Sequence, residues 1–387
     1  MTQVGGAGMA AGAADTSDDS YPFHVNELLS ALVVNEGSDL HLSAGSPPGF
    51  RIGGNLVRPG EYPPLKPRAL QNLIYSILSQ SQRERFEESL ELDTSHTVPG
   101  SGRFRLNVLK QRNSLGAVFR HIPFKISSIQ ELRLPPVVAT FANYPRGLVL
   151  VTGPTGSGKS TTLAAVLDMI NTDRACHIVT VEDPIEFLHP HKKSIVDQRE
   201  VGTDTKSFAD ALKHVLRQDP DVILVGELRD LETVSAAITA AETGHLVLGT
   251  LHTQDAPQAI DRIIDIFPTA QQQQVRIQLA ASIQAIMTQQ LLRKEGQKGR
   301  VAAVEVLIGT PAVRNLIREG KTHQIYSSMQ AGAKFGMQTM DAALADLVRN
   351  RMISLAEALG ASSNPEELRR LIQSQGAGQV GHLRLQG

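Results

Sequence analysis

Apolar runs and amphipathic stretches alternate through the middle of the sequence. Short apolar runs predict strands at residues 147–152, 176–181, 221–226 and 245–251. Helical periodicity predicts helices at residues 158–171, 206–218, 231–243 and 256–266. After Phe267 the pattern predicts helices, apart from an apolar run at 301–308. This alternation is typical of a mostly parallel sheet with helices on both faces, so we expect an α/β domain over 147–373 with a helical C-terminal region.

The pattern before residue 123 is different, because several strand-like stretches follow one another. Helices are predicted at 23–34, 67–78 and 81–90, strands at 38–43, 90–98, 102–112 and 114–122, and a hairpin at 49–58 around Gly53-Gly54-Asn55. We therefore expect a separate α+β domain over 21–122. Residues 1–20 contain almost no large apolar side chains and predict a disordered tail. The prolines that bound residues 123–146 indicate an interdomain linker. A flexible tail is predicted at residues 374–387.

A glycine-rich motif joins the first strand of the α/β domain to its first helix. Residues 153–160 read GPTGSGKS and match G-x-x-x-x-G-K-[ST], the phosphate-binding P-loop. Glycines let backbone N–H groups turn toward phosphate oxygens, while Lys159 can reach the β- and γ-phosphates and Ser160 can hold Mg²⁺. The predicted nucleotide-binding residues are Gly153, Pro154, Thr155, Gly156, Ser157, Gly158, Lys159, Ser160 and Thr161.

Acidic residues follow the next two strands. Glu182, Asp183 and Glu186 lie in VEDPIE, where Pro184 forces a turn, so we expect these acids to project into the crevice at the carboxyl edge of the sheet. DVILVGE resembles a Walker B strand, except that glycine stands at the usual acidic position and Glu227 follows it. We expect Glu227 to serve the metal, directly or through water, and Glu186 to orient the attacking water. A solvated acidic loop is the alternative for VEDPIE.

Histidines and arginines are the remaining candidates for the site. His245 and His252 flank one predicted strand, which suggests a γ-phosphate sensor or a subunit contact, although a lone histidine at a strand end is usually structural. Hydrolysis also needs positive charge on the transferring phosphoryl group. The candidates for fingers or sensors acting across a subunit boundary are Arg103, Arg105, Arg120, Arg217, Arg229 and Arg262. Each of them alone is more often a surface salt-bridge partner.

Composition excludes several functional classes. The net charge is −1 and only 4% of residues are aromatic, so we expect no nucleic-acid partner. One cysteine, Cys176, excludes a disulfide framework and a multi-cysteine zinc site. Apolar runs are too short for a membrane span and no secretory signal pattern is present, so we expect a cytoplasmic protein. No NKxD-type guanine motif is present, which disfavours a GTPase.

Taken together, the motifs resemble those of one family. GPTGSGKSTT, VEDPIEFLH, DPDVILVGELRD and TGHLVLGTLHT are similar to the Walker A, Asp-box, Walker B and His-box of the GspE/PilT secretion ATPases. AIDRIIDIFP, QQQVRIQLA, AVRNLIREGKTHQI and KFGMQTMDAALADLVRN resemble the type IV pilus retraction ATPases, the PilT family. The resemblance covers about residues 23–373 in order. Relatives that assemble pili usually carry a tetracysteine zinc motif, which one cysteine cannot supply, whereas an accessory retraction paralogue remains an alternative.

The resemblance implies an architecture and partners. It implies a PAS-like N-terminal domain, a RecA-like ATPase domain, and a homohexamer with ATP and Mg²⁺ between the two domains near a subunit boundary. It implies an inner-membrane pilus platform protein as partner, possible cooperation with an accessory retraction ATPase, and a position at the cytoplasmic face of the membrane. Motor action would drive pilus retraction and twitching motility.

The resemblance also implies roles for individual residues. Glu186 corresponds to the catalytic glutamate, Glu227 to the Walker B glutamate, and His245 and His252 to the histidine pair. The stretch Val313, Arg314, Asn315, Leu316, Ile317, Arg318 and Glu319 matches a motif linked to retraction. Its own pattern predicts an amphipathic helix with Val313, Leu316 and Ile317 inward and both arginines outward. Ordinary core packing explains that apolar face equally well.

Overall fold

A computed structural model describes residues 21–122 and 126–374. The chain separates into two compact units, Met1–Pro123 and Phe124–Gly387. The predicted tail at 1–20 and, apart from Ser374, the predicted tail at 374–387 lie outside the described residues. Among the helices within the described ranges, none is long and apolar enough to cross a membrane.

The first unit is an α+β domain, and its predicted helices and strands are confirmed. Over residues 21–122 the elements are α1 (Val25–Val34), β1 (Gly37–Ser43), β2 (Gly49–Ile52), β3 (Asn55–Val57), α2 (Pro67–Tyr75), α3 (Gln80–Ser89), β4 (Glu91–Val98), β5 (Gly102–Gln111) and β6 (Ser114–Ile122). The antiparallel sheet has the order β3-β2-β1-β6-β5-β4. Leu28 and Leu32 of α1 are fully buried with Phe104 and Phe119 of the sheet, which gives this unit its own core.

The second unit is an α/β domain. Its described elements begin with a 3-10 helix (Pro136–Asn143), β7 (Gly147–Thr152), α4 (Lys159–Asp173), β8 (His177–Glu182), β9 (Ile195–Glu200), α5 (Phe208–Val215), β10 (Val222–Val225), α6 (Leu231–Glu242), β11 (Leu246–Leu251), α7 (Ala256–Asp265) and α8 (Thr269–Ser282). They continue with β12 (Ile283–Arg293), β13 (Arg300–Ile308), α9 (Pro311–Arg318), α10 (Ile325–Ala331), α11 (Met340–Arg349), α12 (Leu355–Ala361) and α13 (Pro365–Ser374), with short 3-10 turns at Thr322–Gln324 and Ala333–Phe335. The sheet order is β13-β12-β7-β11-β10-β8-β9, parallel except for the β12–β13 pair.

Two strands of this sheet differ from the sequence-based expectation. The chain after Phe267 was expected to be helical up to residue 301, but β12 is an eleven-residue strand that pairs with both β7 and β13. It is buried on both faces, so it lacks the alternation of a half-exposed strand, and no glycine or proline separates it from α8. The edge strand β9 is half polar and was not predicted.

Most of the segment predicted as a linker instead belongs to the second unit. Ile129, Leu134, Val138 and Phe141 are buried in a core shared with β7 and α4. The sequence pattern did not indicate this packing, because the segment forms a 3-10 helix and therefore lacks the periodicity of an α-helix. The prolines at 135 and 136 also disfavour an α-helix there. The contact boundary between the units falls at Pro123 and Phe124.

The parallel strands bring the candidate loops together. β7 pairs with β11 in register from Gly147–Leu246 to Thr152–Leu251, and β10 lies parallel between β11 and β8. Their carboxyl ends therefore meet at one edge of the sheet, where ligands of open α/β sheets bind. The loops that leave this edge contain the P-loop, VEDPIE, Glu227 and His252.

Candidate nucleotide-binding site

The P-loop packs against β12. Gly158 has φ +92°, and a Cβ there would lie 2.7 Å from Nε2 of Gln289. Gly153 has φ +135°, and a Cβ there would lie 2.3 Å from the Gln289 carbonyl oxygen. Only glycine tolerates both this backbone conformation and this close approach. The helix α4 begins directly at Lys159, so its N-terminal N–H groups and partial positive charge face the loop.

Lys159 lies at the centre of the site. Its ammonium donates hydrogen bonds to the carbonyl oxygens of Gly153 (2.8 Å) and Pro154 (3.1 Å), and the residue is only 9% exposed. Burial lowers the pKa of this ammonium, while the carboxylates of Glu227 and Glu186 oppose that shift. Two acids on different loops therefore face the same P-loop lysine, as the sequence analysis expected.

Glu182 supports the loop that carries Glu186. It is 9% exposed and accepts hydrogen bonds from Thr180 Oγ1 (2.6 Å), Gln198 Nε2 (3.2 Å) and the backbone N–H of Glu186 (3.4 Å). Burial raises the pKa of Glu182. The expectation that this acid projects into the crevice is wrong, because its hydrogen bonds hold it in the interior. Asp183 and Glu186 are exposed.

Glu200 fixes the same loop from β9. It is 2% exposed and accepts a hydrogen bond from the backbone N–H of Ile185 at 3.1 Å. Two buried carboxylates at the ends of neighbouring strands therefore hold the backbone immediately before Glu186. This arrangement restricts where the exposed Glu186 carboxylate can reach.

Glu227 forms a cluster with two of the other predicted residues. Its Oε1 lies 2.9 Å from His252 Nε2 and 2.5 Å from Arg229 Nε. Glu227 raises the pKa of the Arg229 guanidinium. Thr250 Oγ1 donates to the Gly226 carbonyl oxygen at 2.5 Å, which fixes the turn that carries Glu227. The acid is shielded, with 18% of its side chain exposed against 43% for His252.

His245 does not belong to this cluster. It precedes β11, at the opposite edge of the sheet from His252, and a six-residue strand spans about 20 Å. Its Nδ1 lies 3.0 Å from the carbonyl oxygen of Ala240. The structure therefore separates the two predicted histidines: His252 lies at the P-loop edge of the sheet, and His245 lies at the opposite edge.

The candidate arginines lie in three places. Arg229 contacts Glu227, whereas Arg217 follows α5 and Arg262 lies in the last turn of α7, both exposed. In the first unit, Arg120 bonds Asp39 at 2.9 Å and Arg103 bonds Ser95 at 2.6 Å. Arg105 pairs across the sheet with Arg120, so these three arginines share one sheet face.

Gln289 is a site residue that the sequence analysis missed. It is 3% exposed on β12, and its Oε1 accepts a hydrogen bond from Thr162 of α4 at 2.7 Å. The neighbouring Thr288 bonds Thr152 at 2.8 Å. The sequence signal that could have identified this residue is the polar Thr-Gln-Gln sequence inside an otherwise apolar run. Beside this contact lies a cavity of about 190 Å³, lined in part by Gly158, Thr161, Leu291 and Arg300.

We expect Gln289→Leu to destabilise the P-loop. The substitution leaves the fully buried Thr162 hydroxyl without its acceptor, which costs about 1–3 kcal/mol. For a domain of this size, each kcal/mol lowers the melting temperature by about 2–4 °C. Thermal unfolding and nucleotide titration measure the effect, with weaker nucleotide binding expected alongside the lower melting temperature.

Gln290→Leu is the matched control for this prediction. Gln290 is the next residue on β12, is partly exposed, and faces away from α4. We expect its melting temperature and nucleotide affinity to stay near those of the parent protein. Equal losses of melting temperature and nucleotide affinity in the two variants would show that the effect does not depend on the contact between Gln289 and Thr162.

The helix α9 contains the predicted retraction motif. Val313 and Ile317 are buried at 1% and 0% exposure, and Leu316 is partly buried, as predicted. Arg318 is exposed, but the outward prediction for Arg314 is wrong. Its guanidinium donates to the carbonyl oxygens of Gly309 (2.7 Å) and Ala281 (2.6 Å), so it caps the C-terminal end of α8. Asn315 and Glu319 bond each other at 2.8 Å.

The oxygen ligands available near Lys159 suit a hard cation that also binds water and phosphate oxygens. Over the described ranges, no cluster of three or more His, Cys, Asp or Glu side chains could hold a metal ion. Ser160 is the second residue of α4, and both contacts of Glu227 fall on the same oxygen, Oε1. One hydroxyl and one carboxylate suit Mg²⁺, which usually binds through few protein ligands together with water and phosphate oxygens.

Comparison with known proteins agrees with this geometry. The family model described as "Type II/IV secretion system protein" matches residues 16–360. The chain is 53% identical over 342 residues to a Pseudomonas aeruginosa protein named "Type IV pilus retractation ATPase PilT", covering 88% of this chain and 99% of that one. It is 48% identical over 321 residues to a Neisseria gonorrhoeae protein named "Twitching motility protein", covering 83% and 86%.

A solved structure matches the whole arrangement of elements. It is described as "Crystal Structure of the Pilus Retraction Motor PilT and Bound ADP". The TM-score is 0.85 at 51% sequence identity, and the match covers 90% of this chain and 99% of that one. The two-unit α/β fold described above is therefore the fold of that ATPase.

Proposed function

The chain belongs to the type II/IV secretion system protein family, and on that premise we propose that it is an ATP-hydrolysing motor that powers type IV pilus retraction. The observation that carries the proposal is that the P-loop, the Glu186 loop and Glu227 lie at one edge of the parallel sheet, where both carboxylates raise the pKa of Lys159 against the effect of burial. A P-loop alone binds nucleotide, whereas two carboxylates beside its lysine also supply the means of hydrolysis. The names of the relatives support retraction as the work that hydrolysis drives.

The P-loop residues bind the triphosphate. Backbone N–H groups from Gly156 to Ser160 and the α4 N-terminus contact phosphate oxygens, and Lys159 exchanges its two loop carbonyls for the β- and γ-phosphates. Ser160 and Glu227 are the residues that would hold Mg²⁺, which when bound neutralises charge on the phosphates.

Water activation falls to Glu186. Its carboxylate is exposed at the sheet edge, and the bonds from Glu182 and Glu200 hold its loop in place. It accepts a proton from, or orients, the water that attacks the γ-phosphate. Glu227 contacts Arg229 and also His252, which lies in the loop that follows β11. The position of Glu227 is therefore coupled to the position of that loop.

The assembly is proposed as a homohexamer. Each subunit binds ATP at the P-loop edge of its sheet, near a subunit boundary where arginines of the first unit or Arg217 and Arg262 of a neighbouring subunit supply charge in trans. The ring acts at the cytoplasmic face of the membrane on a platform protein at the pilus base. The near-neutral charge and low aromatic content support a protein partner rather than a nucleic acid.

A deletion strain of the source organism tests the proposed function. We expect excess surface pili and lost twitching motility, because assembled pili can no longer be withdrawn. The parent gene is expected to restore both properties, whereas a Lys159→Ala copy restores neither. Electron microscopy counts the pili, and colony-edge expansion scores motility.

Other results of the deletion would contradict the proposal. Absent pili would assign the protein to assembly. Normal pili with normal motility would assign retraction to another ATPase, such as an accessory paralogue. ATPase activity that rises on addition of DNA or RNA would point to a nucleic-acid motor.

A further inference from the structure

A buried carboxylate bridges two helices of the ATPase domain. Glu305 of β13 is 3% exposed. Its Oε1 accepts a hydrogen bond from the backbone N–H of Ala256 at 2.8 Å, and its Oε2 accepts one from the backbone N–H of Met340 at 3.3 Å. Ala256 is the first residue of α7 and Met340 is the first residue of α11. One side chain therefore holds two helix N-termini.

The first turn of α7 depends on this carboxylate. Pro257 has no N–H, and the N–H of Gln258 is bonded by the side chain of Asp255 at 2.7 Å. The N–H of Ala259 bonds the Asp255 carbonyl oxygen within the helix. Glu305 therefore supplies the acceptor for Ala256, since helix N-termini leave N–H groups that the helix itself cannot satisfy.

The first turn of α11 is attached in the same way. The side chain of Thr339 accepts a hydrogen bond from the backbone N–H of Ala342 at 3.2 Å, and Glu305 accepts the one from the backbone N–H of Met340. Gln338 pairs with Val306 through two backbone hydrogen bonds, which places the start of α11 against β13.

The second residue of α11 extends this attachment to two other helices. Asp341 accepts hydrogen bonds from Ser362 Oγ (2.5 Å), which follows α12, and from the hydroxyl of Tyr326 (3.5 Å) in α10. The end of α11 held by Glu305 is therefore also the point at which α10 and α12 are joined to it.

The other end of this connection reaches the nucleotide site. Only Thr253, Gln254 and Asp255 separate His252 from the start of α7. His252 contacts Glu227 at 2.9 Å, and Glu227 faces Lys159. The loop that carries His252 therefore begins at the end of β11 and ends at the start of α7, where Glu305 holds the first N–H group.

We propose that Glu305 is a positioning residue that ties the His252 loop of the nucleotide site to the C-terminal helices through α11. The proposal deepens the proposed function and rests on it for the activity readout, because it assigns a residue that connects the nucleotide site to helices α10, α11 and α12. It is not a catalytic residue, since its two bonds go to backbone N–H groups.

The charge state of Glu305 makes the connection dependent on pH. Burial raises its pKa to about 7, the charges of Asp255 on α7 and Asp341 on α11 also raise it, and the two N–H bonds lower it. As the pH falls through that value, the carboxyl gains a proton and one oxygen becomes a donor that faces an N–H group. The folded-state pKa lies above the ordinary 4.5, so this protonation favours the folded state over the same range. Titration of Glu305 therefore loosens a helix without unfolding the domain.

Glu305→Gln tests the proposal. A glutamine has one acceptor oxygen, so one helix loses its bond. We expect hydrogen exchange at pH 8 to accelerate about tenfold in at least one of the peptides covering residues 252–259 and 338–344. We expect turnover to fall about three- to tenfold with KM for ATP nearly unchanged, and the wild-type inflection near pH 7 to be absent.

Asp341→Asn is the matched control. It removes a neighbouring buried acid on α11 whose hydrogen bonds go to Tyr326 and Ser362 rather than to α7, so exchange should change near α10 and α12 while peptide 252–259 keeps its protection. If Glu305→Gln does not fold, Glu305→Asp keeps the charge but is one methylene too short to reach both helices, and the same exchange pattern is expected.

Two results would overturn the proposal. Unchanged exchange in both peptides would show that Glu305 holds neither helix. Faster exchange with wild-type turnover and pH profile would leave Glu305 a purely structural role. If the wild-type protein itself lacked ATPase activity, the proposed function would fail, while the exchange comparison would still decide whether Glu305 attaches the two helices.

Discussion

Glu186→Gln is expected to bind ATP and to lose turnover by about two to four orders of magnitude. The substitution keeps the size of the side chain but removes its negative charge and, with it, its capacity to accept a proton. Glu186 is exposed at the sheet edge, and its backbone is held by Glu182 at 3.4 Å, so the loop should stay in place. The Lys159 ammonium loses one nearby negative charge but keeps Glu227. Phosphate release measures turnover, and a fluorescent ATP analogue measures binding.

Asp183→Asn is the control for Glu186→Gln. Asp183 is an exposed acid three residues earlier in the same loop, and we expect its amide variant to keep turnover within a few-fold of the parent protein. A Glu186→Gln protein that still hydrolyses ATP at near the parent rate would remove Glu186 from the base role. Glu227 would then be the carboxylate to test, because it also faces Lys159.

Lys159→Ala is expected to weaken ATP binding by about ten- to a hundredfold, equivalent to about 1.4–2.8 kcal/mol. Its ammonium is 9% exposed and lies among the carbonyls of the P-loop and two carboxylates. The substitution removes the charged donor that the P-loop offers to the phosphates. Turnover at saturating ATP should fall as well, because the same charge stabilises the transferring phosphoryl group. Calorimetric titration with ATP and a steady-state ATPase assay measure the two effects.

Lys192→Ala is the control for Lys159→Ala. Lys192 bonds Asp168 of α4 at 2.7 Å on the protein surface, so its removal changes the charge of the protein by the same amount near the same helix. We expect ATP affinity to stay within about twofold, since such surface pairs contribute little. Equal losses in both variants, or wild-type affinity in Lys159→Ala, would contradict the assignment of the P-loop lysine.

The features that the sequence predicted correctly are local ones. The run from β7 through the P-loop to α4 is contiguous, so its apolar strand, glycines and helix can be recognised within a single stretch. The loops of Glu186 and Glu227 follow parallel strands, and the rule for carboxyl edges places them together without knowledge of the packing.

Two of the errors concern side chains that hydrogen bonds to another element of the fold hold in place. Glu182 was expected in the crevice, but Thr180 and Gln198 hold it in the interior. Arg314 was expected in solvent, but it donates to carbonyl oxygens at the end of α8. Helical periodicity predicts the face on which a residue lies, and it does not indicate which neighbouring element provides acceptors there.

The sequence by itself determined the P-loop, the strand–helix alternation, the family and the two carboxylates that face Lys159. Only the tertiary structure placed β12 between β7 and β13, and with it brought Gln289 against Thr162, 127 positions earlier in the chain. Only the tertiary structure put Glu305 between the starts of α7 and α11. The physical reason is that helices and loops form from contacts between near neighbours, whereas strand order and buried polar pairs depend on which distant segments exclude water together.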